Sequence, residues 1–124
     1  MENTELCRQL FESFANGDED RIRQLCSGKM QAIQNGGAPM NLETLLQFTF
    51  LVLKVVKNFR YEDAVRSATE TGFVEEHRVC GRLPDGSFLN MFACVVGRVQ
   101  DGKVVELREY FDSAAAANLA AALS

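Results

Sequence analysis

Apolar residues change their spacing partway along the chain. Leu6, Leu10, Phe11 and Phe14 recur at helical intervals from Thr4 onward, and Asn16-Gly17 supplies a stop at which glycine can take the left-handed conformation. Asp18 is placed to cap a second, short helix with Glu19 and Asp20 in its first turn and Ile22, Leu25 and Cys26 on its apolar face. Ser27-Gly28 ends it, and Lys29–Asn35 alternates weakly and reads as a strand. After the loop Gly36-Gly37-Ala38-Pro39, Asn41 caps a third helix, LETLLQFTFLVLKVVKN, with Met40 in staple position. Its second half is apolar nearly all round, which predicts burial on several sides. From Phe59 the period is that of strands: Phe59–Thr69, Phe73–Leu83, Phe88–Val99 and Val104–Phe111. Thr71-Gly72, Pro84-Asp85-Gly86 and Gln100-Asp101-Gly102 separate them as hairpin turns. Ser113 is positioned to cap a last helix, AAAANLAAAL. The order ααβαββββα predicts an α+β fold, with helices on one side of a curved, mostly antiparallel sheet made of one short strand and a four-strand meander.

Composition narrows what such a fold can do. A chain of 124 residues makes one domain, residues 1–124. Thirteen basic against seventeen acidic residues leave a net charge of −4, so no chain-wide positive field exists to collect phosphates and a nucleic-acid partner is not expected. Cys7, Cys26, Cys80 and Cys94 are widely spaced, and only His77 could join them as a soft ligand, so they read as buried thiols of a reducing compartment and no metal site is expected. The N-terminal residues have no basic stretch before an apolar run, so no signal peptide is expected. The longest apolar stretch, Phe48–Val56, is far short of the ~20 residues a membrane span needs. The expectation is a cytoplasmic protein with no membrane partner.

Asn16-Gly17-Asp18 between two opening helices, Leu83-Pro84-Asp85-Gly86 in a hairpin, and Asp101-Gly102-Lys103-Val104-Val105 leading into Arg108-Glu109-Tyr110-Phe111-Asp112 resemble the SnoaL-like branch of the nuclear transport factor 2-like superfamily over essentially the whole chain. The C-terminal half also resembles limonene epoxide hydrolase and ketosteroid-isomerase-related proteins. The resemblance implies a cone-shaped pocket without a cofactor, a small apolar ligand, and a homodimer that packs the outer faces of two sheets. It does not imply one chemistry, since such proteins include isomerases, cyclases, epoxide hydrolases and non-catalytic binders.

The last strand holds a carboxylate out of pattern. Val105, Leu107 and Phe111 form its apolar phase and Glu109 falls among them. Desolvation of an inward carboxylate raises its pKa and fits it for acid/base work near neutrality. If both flanking turns have three-residue loops, Glu109 stands opposite Ala93 and Ala93 opposite His77; if both are two-residue turns, Cys94 replaces Ala93. Either way His77 and Glu109 share a face, with Glu75 on the same phase as His77. A mixed pair of turns brings Glu76 and Arg78 to the pocket instead. Those two also match the Arg-x-Asp pair of the epoxide hydrolases by a gap-free count, with the charges inverted. Of that family's other site residues, the resemblance carries an Asn onto Asn35, while a Tyr falls on Ile33. The steroid-isomerase Tyr and acid fall on Leu10 and close to Gln34, and the two-histidine dehydratase pattern is excluded by a single His. Phe92, Cys94 and Phe111, with Met30, Met40, Met91, Phe48, Phe50 and Phe88, are the apolar candidates for lining the pocket, although any core contains such residues. Two functions follow: a cofactor-independent acid/base enzyme (isomerase, cyclase or epoxide-hydrolase-like) using Glu109, His77 and Glu75 on a polyketide, terpenoid or steroid-like substrate, or a non-catalytic ligand-binding or dimerisation module.

Overall fold

Helical spacing in the first quarter of the chain becomes α1 (Asn3–Asn16) and α2 (Glu19–Leu25) in a computed structural model that describes all residues, 1–124. Gly17, at φ +65°, closes α1, and the Asp18 carboxylate accepts the Arg21 N–H to open α2. The chain then enters β1 (Cys26–Gln34) with no loop, so Ser27-Gly28 lies inside the strand, where the register with its neighbour shifts. A two-residue strand, β2 (Met40–Asn41), precedes α3 (Leu42–Val55), whose first turn is capped by the Asn41 side chain accepting from Thr44 N–H. The meander follows as β3 (Lys57–Ala68), β4 (Gly72–Arg82), β5 (Phe88–Gln100) and β6 (Lys103–Phe111), and α4 (Ala117–Leu123) closes the chain.

The six strands lie in the order β2-β1-β6-β5-β4-β3. All neighbours are antiparallel except β1 and β6, a parallel pair that periodicity gave no reason to expect. The last helix also departs from expectation. Ser113 is not its cap: Asp112 Oδ1 takes the Ala114 N–H, residues 113–116 form turns, and α4 starts after Ala116 with no side-chain cap. α3 is less enclosed than its composition suggested, because Leu51 faces out at 41 % exposure and Phe48, Thr49 and Leu53 are half-buried against a cavity.

Two turns and two bulges set which side chains face inward. Pro84-Asp85-Gly86 is a three-residue loop, with Leu83 N–H donating to Ser87 O at 2.9 Å, and it pairs His77 with Ala93. Asp101-Gly102 is a two-residue turn with both φ positive (+52° and +74°) that pairs Gln100 with Lys103. That mixture alone would turn Glu109 away from His77. A bulge at Val105, between the pairs Val99–Val104 and Arg98–Glu106, restores the phase, so Glu109 pairs with Val95 and Val95 with Glu75. In β3 the register shifts between Glu62 and Val65, around Asp63 at φ +57°. Val65 is thereby turned outward beside Glu76, and Arg66 inward beside Glu75.

Between the sheet and the helices the buried residues form two clusters. One joins α1, α2 and the start of α3 to Met30, Phe73, Val104 and Leu107; the other joins Val52 and Val56 to Val79, Leu83, Met91 and Leu119. Tyr61 packs against both.

Candidate active site

A cavity of about 260 Å³ lies where the two clusters meet, lined by side chains from α1, β1, α3, the meander and α4. Phe11, Phe48, Phe59, Met91 and Phe111 make most of its aromatic and bulky wall, and Glu109, Gln34, Thr49 and the Tyr61 hydroxyl are the polar groups on lining residues. A pocket of this kind binds through its apolar area and takes its specificity from those few polar atoms.

Glu109 stands at the end of the row Glu75–Val95–Glu109, which runs across β4, β5 and β6. Its carboxylate accepts one side-chain hydrogen bond, from Gln34 Nε2 at 3.2 Å, and no cation pairs with it. Burial pushes its pKa above the ordinary 4.5, while His77 and the Gln34 amide pull it only part of the way back. An acid in that state keeps its proton to higher pH than an exposed carboxylate does, which is the direction acid/base work requires.

Glu75, at the other end of the row, is wholly buried and held from three sides. Arg66 Nε donates to it at 2.8 Å, His77 Nδ1 lies 2.6 Å from its other oxygen, and the Cys7 thiol approaches at 3.6 Å. Burial alone would raise its pKa, but the His77 and Arg66 bonds outweigh that and hold it below the ordinary carboxylate value. The Cys7 thiol beside it is pushed up to about 12, first by burial and then by the Glu75 charge. His77 is 1 % exposed, and its Nε2 is the one fully buried side-chain polar atom without a partner. The imidazole is boxed by the Phe11 ring at 5.0 Å and the Tyr61 ring at 4.4 Å between centroids, and both of those rings line the cavity. Glu75 and His77 thus share the inner face with Glu109, but a layer of aromatic rings separates them from the cavity.

Other sequence candidates lie elsewhere. Glu76 is exposed on the outer face, and Arg78 is tied there to Asp63 (2.8 Å), Glu62 (3.3 Å) and Asn90 (3.0 Å), so the alternative register does not occur. Phe92 is 72 % exposed on that same face, and Cys94 pairs with Glu76 and Tyr110 beside it; both follow the outward phase of β5 and neither lines the cavity. Phe88, at 71 % exposure, is likewise outside, stacked under Arg82 at 5.0 Å. Asn35 is exposed and spends its amide on the backbone of Phe111, donating to O at 3.1 Å and accepting from N–H at 2.9 Å, which ties β1 to the end of β6. Phe111 is in the wall as expected.

Tyr61 escaped the sequence reading. Its ring is fixed edge-on to Phe11 (5.4 Å, 81°) and Phe59 (5.2 Å, 84°). Burial, then the charges of Glu109 and Glu75, raise its pKa, so it stays a neutral hydroxyl. The alternation of Phe59 and Tyr61 with Arg60 and Glu62 was the available signal for its inward phase.

No protein-family model matches the chain, and no curated protein matches it. Solved structures do. A provisionally named polyketide cyclase from Xanthomonas campestris superposes with a TM-score of 0.81 at 19 % identity, covering 98 % of this chain and 96 % of that one. A second, from Pseudomonas putida, gives 0.79 at 19 %, covering 90 % and 92 %. An epoxide hydrolase of the limonene-epoxide-hydrolase-like type from Mycobacterium tuberculosis gives 0.76 at 15 %, covering 98 % and 88 %. At such identities the likeness is one of architecture: the chain has the nuclear transport factor 2-like cone fold.

Proposed function

We propose that this chain is a cofactor-independent enzyme that moves a proton on a small apolar molecule held in the cone, with Glu109 as the acid/base group. The observation that carries this reading is a carboxylate with a raised pKa and no cationic partner, set in the wall of an otherwise apolar cavity. Glu75 and His77 act from behind the wall: the Arg66–Glu75 pair fixes the imidazole, and the imidazole moderates the Glu109 carboxyl. Polyketide, terpenoid and steroid-like carbonyl compounds or epoxides have the apolar bulk and single reactive oxygen such a site suits. The test is turnover of a panel of cyclic ketones and epoxides, read by deuterium uptake at carbon and by diol formation. Glu109→Gln is expected to abolish turnover with folding intact, and full activity in that variant overturns the assignment.

The alternative is a binding module of the same fold, and the screening of His77 from the cavity favours it by leaving Glu109 without an imidazole in the wall beside it. It predicts ligand uptake in both wild type and Glu109→Gln with no turnover in either. The exposed Phe88, Phe92, Tyr110 and Val65 on the outer face fit a homodimer that packs sheet on sheet. Phe92→Asp is expected to shift the sedimentation coefficient to that of a monomer, and an unchanged coefficient overturns this interface.

A further inference from the structure

Three observations meet on Tyr61. It lines the cavity together with Glu109; its ring is clamped by Phe11, Phe59 and His77; and the residue is half-buried, with a hydroxyl that is accessible and bonded to no protein group. A phenol held in a largely apolar wall with no protein acceptor has its proton free for a polar atom that enters the cavity. The acidic groups in reach are Glu109 and Glu75, and neither bonds it: Glu109 is bonded by Gln34, and both Glu75 oxygens are taken by Arg66, Cys7 and His77.

We propose that Tyr61 is the hydrogen-bond donor that reads one oxygen on the ligand, so that the cone selects a ring-sized carbonyl compound over the hydrocarbon of the same shape. The donor is pre-oriented, since two edge-on aromatic contacts and the imidazole leave the ring little freedom to turn away. The remaining wall supplies apolar contact that both compounds share. Glu109 cannot replace Tyr61 in this task when ionised, because a carboxylate has no proton to offer a carbonyl oxygen. The inference rests on the cavity being a ligand site, as in the reading above, but not on that site being catalytic.

The experiment compares 2-acetylnaphthalene with 2-ethylnaphthalene, which share a bicyclic skeleton and differ in the carbonyl oxygen. Binding to the intact protein is followed by quenching of ligand fluorescence, and the carbonyl stretch of the bound ketone by infrared difference spectroscopy. Wild type is expected to bind the ketone about tenfold more tightly than the hydrocarbon, with the carbonyl band shifted to lower frequency. In Tyr61→Phe, which keeps the ring and its packing, the preference and the band shift are expected to vanish while hydrocarbon affinity stays the same. If the preference and the band shift survive in Tyr61→Phe, the donor is another group and this inference falls while the ligand site stands. If neither compound binds wild type, the ligand site itself falls and this inference with it.

Discussion

Glu75 and Glu109 are the same residue type on the same face of the sheet, separated by one valine, and their surroundings drive them in opposite directions. Glu75 sits under α1, where that helix delivers a thiol, β3 a guanidinium and its own strand β4 an imidazole to its two oxygens. Glu109 sits under α3 and α4, where it receives one amide. One carboxylate is stabilised in its charged form and the other is not. Environments that split the pKa values of two carboxylates usually mark a division of labour. Here the sealed end of the cone spends its polar groups on one another, and the hollow end leaves Glu109 with a single amide partner.

Breaking the sealed end is expected to have the largest effect. Glu75→Gln leaves Arg66 facing a neutral amide and removes the charge that holds His77, and loss of one partner of a buried pair costs about 3 kcal/mol or more. Urea denaturation at neutral pH measures it. A loss below about 1 kcal/mol would show that the network contributes little, as exposed pairs do.

Packing offers a second, smaller contrast. At the sealed end a Cβ on Gly97 would sit 2.2 Å from the Phe73 ring, which is itself fully buried, so Gly97→Ala is expected to cost about 1–3 kcal/mol. At the hollow end Val52 lines the cavity, and Val52→Phe adds volume where there is room for it. That variant is expected to change stability by less than about 1 kcal/mol, since the new ring buries apolar surface without displacing neighbours, and to lose 2-acetylnaphthalene binding. Thermal melts of the two variants, with a binding titration of the second, check the pair. Equal destabilisation by both would mean that the two ends are packed alike.

Much of this arrangement was legible in the chain. Gly17, Asp18 and Asn41 mark helix ends through backbone and capping chemistry that is local, so the residues alone fix them. The shared face of Glu109, Glu75 and His77 was legible too, but for an incomplete reason. The two turns differ in length, which by itself reverses the phase, and the bulge at Val105 reverses it back. Bulges follow from sheet twist and tertiary packing more than from residue type, and the one near Asp63 hid both the inward Arg66 and the outward Val65. Phe92 and Cys94 were misplaced because apolar character was weighed above strand phase. Tyr61 was missed because a tyrosine beside Arg60 and Glu62 reads as half-exposed until Phe11 and Phe59 are seen around it.

The smallest effect tests the comparison most directly, because it depends on sign. Glu75, with its pKa below the ordinary 4.5, binds fewer protons folded than unfolded, so its contribution is fully present above pH 4.5 and is lost as pH falls through the folded value. Glu109, with its pKa above 4.5, binds more protons folded than unfolded, so its contribution is fully present below pH 4.5 and declines as pH rises through the folded value. The wild-type stability curve is therefore squeezed from both sides by two glutamates at opposite ends of one row. Glu75→Gln is expected to flatten the acid limb on top of its general loss. Glu109→Gln is expected to leave the acid limb as it is and remove the decline above pH 4.5, ending more stable than wild type at pH 8. Urea midpoints from pH 3 to pH 8 for the three proteins read both limbs. A Glu109→Gln curve parallel to wild type throughout would mean that this carboxylate titrates as a surface group does, and the contrast between the two ends of the cone would then rest on packing alone.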